Sequence, residues 1–392
     1  MKNKEELETL NKKFKRLKII NIVLILIVLI GVVGAGTLGY LYIRRDILKK
    51  TTIVHEMQFL KNKINEKYNN NYEYNENVHN AAYKLDLNVG ESGLHATHPK
   101  ILNFDEKWNG YKYWLVYSPY PFANDKYENP YLVASNDLIN WETPKGLKNP
   151  IEKTPSNYKH EYIYNSDPHI LYNADTKKME LYFRFVNDTE DKVIIYRRTS
   201  SDGVNWSEKE EIISNNRSKK DYMSPAIIYD NGIYKMWFVD HDKLVHYIES
   251  KDGYKYENEK VIDLNYPIPK LQSWHIDTIK TEKGYELLTV AYRYHEDRNS
   301  MNLYYFTSKD NENYSKGVIV MRPSLISWDN KGIYRSSFIY ENGVYYVYYS
   351  GISMNNERGI GLAYGEHIEN LIGSNIKQET DLVTVNKETN AS

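Results

Sequence analysis

A short apolar strand, a tight turn and an aromatic strand recur along the chain. The copies read HPKILNFDEKWNGYKYWLVY, DPHILYNADTKKMELYFRF, SPAIIYDNGIYKMWFVD, DTIKTEKGYELLTVAYR and SSFIYENGVYYVYYSG. Asn109-Gly110, Asn231-Gly232 and Asn342-Gly343 supply the positive φ that a two-residue hairpin turn needs. A second element follows each copy: SNDLINWE, SSDGVNWS, SKDGYKYE, SKDNENYS and the degenerate YGEHIENL. Its acidic residue falls at Asp137, Asp202, Asp252, Asp310 and Glu366, and the first four copies close on Trp141, Trp206, Tyr256 and Tyr314. A period of about 50–65 residues, each holding four short strands, is the pattern of propeller blades. The chain is therefore predicted to be all-β, a five-bladed β-propeller over residues 91–373, built as one domain without an interior helix.

Composition agrees with strands and narrows the chemistry. Tyrosine contributes 38 of the 392 residues. Aromatic side chains favour strands, and a tyrosine offers a sugar both an apolar face and a polar edge. Basic and acidic residues balance at 51 and 52, so no nucleic-acid partner is implied. Cysteine is absent, which excludes disulfides, thiolate metal sites and cysteine nucleophiles. There is no glycine-rich phosphate loop, no serine elbow and no basic stripe.

The N-terminal region reads differently. Ile19–Ile43 carries no charge and, at 1.5 Å per residue, is long enough to cross a hydrocarbon core of roughly 30 Å. Lys2, Lys4, Lys12, Lys13, Lys15, Arg16 and Lys18 precede it; Arg44, Arg45, Lys49 and Lys50 follow. That bias predicts a single-pass plasma-membrane protein, with residues 1–18 cytoplasmic, 19–43 a transmembrane helix and the propeller extracytoplasmic. A cleaved signal peptide ending near Gly34-Ala35-Gly36 is the alternative. Gly31, Ala35 and Gly39 offer a helix-packing face for a homodimer. Residues 44–90 read as a helical stalk and polar linker, with Ile53, Met57, Leu60 and Ile64 on one stripe, and 374–392 as a polar tail.

Inner strands of a propeller head toward a common channel mouth, so their first residues are the candidate site. Aligning the blades on Pro99, Pro168, Pro225, Asp277 and Ser336 places His98, Asp167, Ser224, Ile276 and Arg335 in one ring. Thr97, Ser166, Met223, His275 and Tyr334 fall in the alternate ring. A slip of one residue in blade four brings His275 or Asp277 into the first. Ionisable groups so gathered serve either as a buried ion-pair network or as a ligand site. His95 and His98 share an ion only if the chain turns between them. His275 and Asp277 could hold an ion or polarise a water, and Trp274 is either a sugar platform or core packing. Asn129, Arg293, Tyr120 and Tyr334 are further candidate substrate contacts. No metal ligand set is assigned and no cofactor is implied, with Ca²⁺ in the central channel left open.

NSDPHI at the head of blade two and the SxDGxxW endings resemble the five-bladed glycosidase superfamily, which holds the family 43 arabinanases and xylosidases and the invertase-like fructosidases. The resemblance spans residues 94–372. It implies three carboxylates at the channel mouth: a base or nucleophile from blade one, an orienting Asp from blade two and an acid from blade three. Glycoside cleavage needs two carboxyl groups across the scissile bond. Asp167 matches the second role. Blade one has His98 where the first acid is expected, and blade three has Tyr222-Met223-Ser224-Pro225, with Asp221 the nearest acid. The chemistry has then moved, with His98 as base and Asp221 or Asp277 as acid. Otherwise the propeller binds a glycan without cutting it, or binds a protein of the envelope. The expectation is a membrane-anchored, glycosidase-like protein acting on a cell-envelope polysaccharide.

Overall fold

The computed structural model describes residues 9, 11–24, 79–87, 95–157, 159, 161–294 and 296–375. Most of the predicted membrane segment, the stalk and the tail lie outside these. Residues 11–24 form a helix by themselves. Among the described residues no helix is long and apolar enough to cross a membrane.

The asparagine-glycine pairs fold as their chemistry dictates. Asn231 and Gly232 have φ of 53° and 78°, Asn342 and Gly343 of 52° and 82°, and each pair joins two strands with no further residue. Blade four differs. Thr281 pairs with Gly284, so its turn is Glu282-Lys283 and the glycine is the first residue of the returning strand. Gly284 has φ of 111°, and a Cβ there would lie 2.4 Å from the Ser308 carbonyl oxygen.

Five antiparallel sheets result. Blade one is β1 (Ala96–Trp108), β2 (Tyr111–Pro119) and β3 (Tyr131–Ser135). Its fourth position is filled only by a lone bridge between Ala134 and Glu142. Blade two is β4 (Ile163–Asn173), β5 (Lys178–Asn187), β6 (Lys192–Ser200) and β7 (Glu210–Asn216). Blade three is β8 (Met223–Asp230), β9 (Ile233–Val239), β10 (Val245–Ser250) and β11 (Glu257–Ile262). Blade four is β12 (Leu271–Thr281), β13 (Gly284–Arg293), β14 (Asn302–Ser308) and β15 (Val318–Met321). Blade five is β16 (Gly332–Glu341), β17 (Val344–Ile352), β18 (Arg358–Gly365) and β19 (Ile372–Gly373).

The first strands of the blades neighbour one another in a ring, β1 to β4, β8, β12, β16 and back to β1. The second strand of each sheet is covered on both faces, which is why runs such as Trp114-Leu115-Val116-Tyr117 and Met236-Trp237-Phe238-Val239 are wholly buried and apolar. The recurring Ser-x-Asp element is a turn lock. Asp202 Oδ1 accepts from the backbone N–H of Val204 at 2.9 Å and of Asn205 at 2.7 Å, while Ser200 donates to Asp202 at 3.0 Å. Asp137, Asp252 and Asp310 repeat the arrangement.

The linker expected over 44–90 ends in a stretch that is laid along the last blade. Ala82 N–H donates to Ser374 O and Leu85 N–H to Ile360 O, both at 2.8 Å. Tyr349 Oη accepts from Ala81 N–H at 2.7 Å, and Trp328 Nε1 donates to Ala81 O at 3.0 Å.

Candidate active site

Strand pairing fixes which residues share a level in the channel. Lys100, His169, Ala226, Asp277 and Ser337 face Val116, Tyr182, Trp237, Leu288 and Tyr348 on the neighbouring second strands. A bulge precedes that level in all five blades. Bulges re-aim side chains, and here His98, Asp167 and Ser224 take left-handed backbone with φ of 52°, 49° and 54°. The residues just above the level are therefore His98, Asp167, Ser224, His275 and Arg335. Blade four is offset by one from the alignment on Gly284, because that glycine is not in the turn. His275, not Ile276, takes the ring position, and Asp277 sits one layer deeper.

The upper layer is a cluster of four. Arg335 Nη1 donates to Asp167 Oδ1 at 3.2 Å and its Nη2 to Pro168 O at 3.3 Å. His275 Nδ1 stands 3.3 Å from the same Asp167 oxygen, off the line a hydrogen bond requires, and neither of its ring nitrogens has a hydrogen-bond partner. The His98 and His275 rings are 5.2 Å apart. One ligand atom from each of His98, Asp167 and His275 lies within 4.8 Å of the others. His98 Nδ1 is 2.8 Å from Ser118 Oγ and 3.2 Å from Glu128 Oε1.

Burial governs the charges. It holds His98 well below the usual imidazole range, helped by Arg335 and Arg358. It does the same to His275, with His98 and Arg335 adding to it. Burial thus favours the neutral form of both rings, the form that has a lone pair to offer. Glu128 is pushed well above the usual carboxyl range by burial and by Asp167 and Asp125.

Aromatic rings wall the cluster. Tyr334 packs 4.7 Å from the His275 ring and 5.5 Å from His98; Tyr120 lies 5.6 Å from His98, and Trp274 5.7 Å from His275. The other residues singled out in the sequence are placed elsewhere. Asp277 accepts Lys100 Nζ at 2.8 and 3.0 Å and Ser337 Oγ at 2.7 Å, forming the floor. Asp221 is clamped by Arg184 at 2.7 and 2.6 Å and by Arg217 Nε at 3.1 Å, and Arg184 also donates to Ser166 at 3.0 Å. Asn129 Oδ1 accepts from Thr154 N–H at 3.0 Å and Asn165 Nδ2 at 2.9 Å, bracing the loop after β2. His95 Nδ1 accepts from Arg358 N–H at 3.1 Å and packs on Phe122. Arg293 is exposed and pairs with Glu296 at 3.4 Å.

Glu128, Ser118 and Arg358 join the site without a signal in the sequence. Glu128 follows two single-turn 3-10 segments, Pro121–Ala123 and Asp125–Tyr127, in a loop that no repeat pattern marks.

The donor set of two imidazoles and one carboxylate suits a mid-row divalent ion such as Zn²⁺. Ca²⁺ prefers six to eight oxygens, and a neutral imidazole pair is a poor match for it. The orphaned nitrogens of His275 fit the same conclusion, since buried polar atoms without a partner are rare.

No protein-family model matches the sequence. The chain is 29% identical over 298 residues to the A type blood N-acetyl-α-D-galactosamine deacetylase of Flavonifractor plautii. That match takes 63% of this chain and 38% of the relative, so the chain spans well under half of that protein's length. The crystal structure of an N-acetylgalactosamine deacetylase from F. plautii, in complex with blood group B trisaccharide, superposes with a TM-score of 0.65 at 24% identity, covering 76% of this chain and 97% of that one. The same five-bladed fold recurs in solved arabinanases. An exo-1,5-α-L-arabinanase from a bovine ruminal metagenomic library aligns with a TM-score of 0.51 at 14% identity over 74% of this chain and all of that one. The Cellvibrio cellulosa α-L-arabinanase complexed with arabinohexaose aligns with a TM-score of 0.51 at 12% identity, over 69% and 92%. The fold and the carbohydrate-active company expected from NSDPHI and the SxDGxxW endings are both found.

Proposed function

We propose that the protein is a metal-dependent hydrolase that removes acetyl groups from N-acetylated sugars of a polysaccharide. The observation that carries the reading is the His98–Asp167–His275 cluster, with both nitrogens of His275 unsatisfied at the channel mouth. The deacetylase activity named for the F. plautii relative supports it. A divalent ion held there supplies a Lewis acid and a water of lowered pKa. The protein's own residues do the rest. Arg335 holds Asp167 in orientation. Glu128 and Ser118 hold His98 by Nδ1, so that Nε2 presents its lone pair. Tyr120 and Trp274, both half-buried at the mouth, offer ring surface against which a pyranose packs. The products are acetate and a sugar amine.

A second reading rests on Glu128. A buried carboxyl pushed upward, with the carboxyl of Asp167 nearby, offers the two carboxyl groups that glycoside cleavage uses. Asp221 and Asp277 are less suited to that acid role, since each is already saturated by a cation.

One assay separates the two. The purified full-length chain is incubated with N-acetylated oligosaccharides, with and without chelator. Acetate release that stops on chelation and returns with Zn²⁺ is the expected result. Reducing ends without acetate, unaffected by chelation, overturn deacetylation in favour of glycoside cleavage.

The setting is part of the same proposal. The apolar run 19–43 and its flanking charges support an anchor in the plasma membrane with the propeller outside, where a cell-envelope polysaccharide is within reach. Protease protection in intact cells tests it: a propeller that survives external protease sinks the orientation.

A further inference from the structure

Cations without acid partners flank the His98–Asp167–His275 cluster on two sides. On one side, the Arg358 guanidinium stacks 4.2 Å from the Tyr334 ring and 4.5 Å from the Tyr120 ring. Arg358 is 2% exposed, and its Nε and Nη1 have no hydrogen-bond partner. On the other side, Arg298 stands 4.3 Å and Lys243 Nζ 4.9 Å from the Trp274 ring. Among the described residues none of these three cations reaches a carboxylate within 4 Å. Of the acids near the mouth, Asp167 pairs with Arg335, Asp221 with Arg184 and Arg217, and Glu128 with His98, while Asp125 and Asp240 act on Arg298 and Lys243 only from beyond ion-pair distance.

Stacking explains part of this. A cation over an aromatic ring is attracted by the ring's negative face, the more so when desolvated. It accounts for the face of the Arg358 guanidinium but not for its edge. Buried N–H groups on a charged side chain cost free energy unless an acceptor meets them. An acceptor arriving with the substrate would meet them. Arg298 is exposed and Lys243 half-buried, so both can also turn toward a bound chain.

We propose that the sugar taken by this site carries an oxyanion, a carboxylate or a phosphate, on the residues flanking the one that reacts, with Arg358 on one side and Arg298 and Lys243 on the other as its counter-charges. The substrate class is an acidic polymer containing N-acetylated sugars, which refines the deacetylase reading and rests on it for the reacting group.

Binding separates this inference from that reading, because it needs no turnover. The full-length chain is titrated with an oligosaccharide of alternating N-acetylhexosamine and uronic acid, with its carboxyl-reduced counterpart, and with an N-acetylhexosamine phosphate oligomer. The acidic forms are expected to bind at least about tenfold tighter than the reduced one at low salt, the difference shrinking as salt rises. Preference for the uronate or for the phosphate form identifies the oxyanion. Arg298→Gln with Lys243→Gln, both at the surface, should remove several-fold of the advantage, and Arg358→Lys most of the remainder. Equal affinity for acidic and reduced oligosaccharides overturns the proposal, as does an advantage that survives all three substitutions. Absence of acetate release with the acidic preference intact would sink deacetylation alone.

Discussion

Lys100 Nζ meets both carboxylate oxygens of Asp277, at 2.8 and 3.0 Å, across the width of the channel. The pair closes the channel beneath the cluster that contains Asp167. Both partners are buried, at 6% and 2% exposure. Removing one charge strands the other in a low-dielectric interior, which costs about 3–5 kcal/mol. Asp277→Ala should therefore lower stability by that order, read by denaturant unfolding. Lys100→Met with Asp277→Leu should recover much of the loss. Turnover abolished in Asp277→Asn at unchanged stability would instead give Asp277 a chemical role.

Glu128 touches His98 and not the reacting centre, so it is a positioning residue. Groups behind a metal-binding imidazole tune affinity by about 10–100-fold. Glu128→Gln should weaken Zn²⁺ binding within that range in calorimetry on the full-length chain. Glu128→Asp should restore part of it. Unchanged affinity would detach Glu128 from the metal site.

The turn locks predict the acid limb of stability. Asp252 accepts the N–H groups of Lys255 and Tyr254 and the Ser250 hydroxyl, which holds its carboxyl at about 2. For Asp202, burial pushes upward but is outweighed by hydrogen bonds from Asn205, Val204 and Ser200, leaving it at about 2. The unfolded carboxyl sits at about 3.9. A lowered folded pKa means stability that is fully present above that value and lost as pH falls through about 2. Melting temperature should fall between those limits. Asp202→Asn with Asp252→Asn should start lower and slope less; a slope as steep as the parent's refutes the assignment.

Gly203 tests the packing between the first two blades. A Cβ on it would stand 2.4 Å from the Trp114 ring, and its φ is 74°. Gly203→Ala should cost about 1–3 kcal/mol through overpacking and backbone strain. Paired with Trp114→Phe the penalty should shrink, which a double-mutant cycle would read.

The five sheets were legible because each hairpin carries its own turn chemistry, and Asn231-Gly232 can hardly do anything else. The ring of His98, Asp167 and Arg335 was legible because His98 and Asp167 each precede a proline at the head of a first strand, while Arg335 follows from its distance to the Asn342-Gly343 turn. Blade four was off by one, since Gly284 serves close packing against Ser308 and the turn itself is Glu282-Lys283. Two candidate acids looked free in the sequence because their partners are remote: Lys100 reaches Asp277 from another blade, and Arg184 reaches Asp221. Glu128 was invisible because loop positions carry no period. The stretch 79–87 read as linker, although its backbone is spoken for by Ile360 and Ser374.

That last contact bears on how the molecule comes into being. Ala82 and Leu85 precede blade one in the chain, while Ile360 lies in blade five and Ser374 follows it. The seam of the ring is thus sewn between a segment made before the first blade and the strands of the last. Individual sheets can form during synthesis, yet the circle waits for blade five, and a nascent chain stalled short of it holds an open arc with unsatisfied edges.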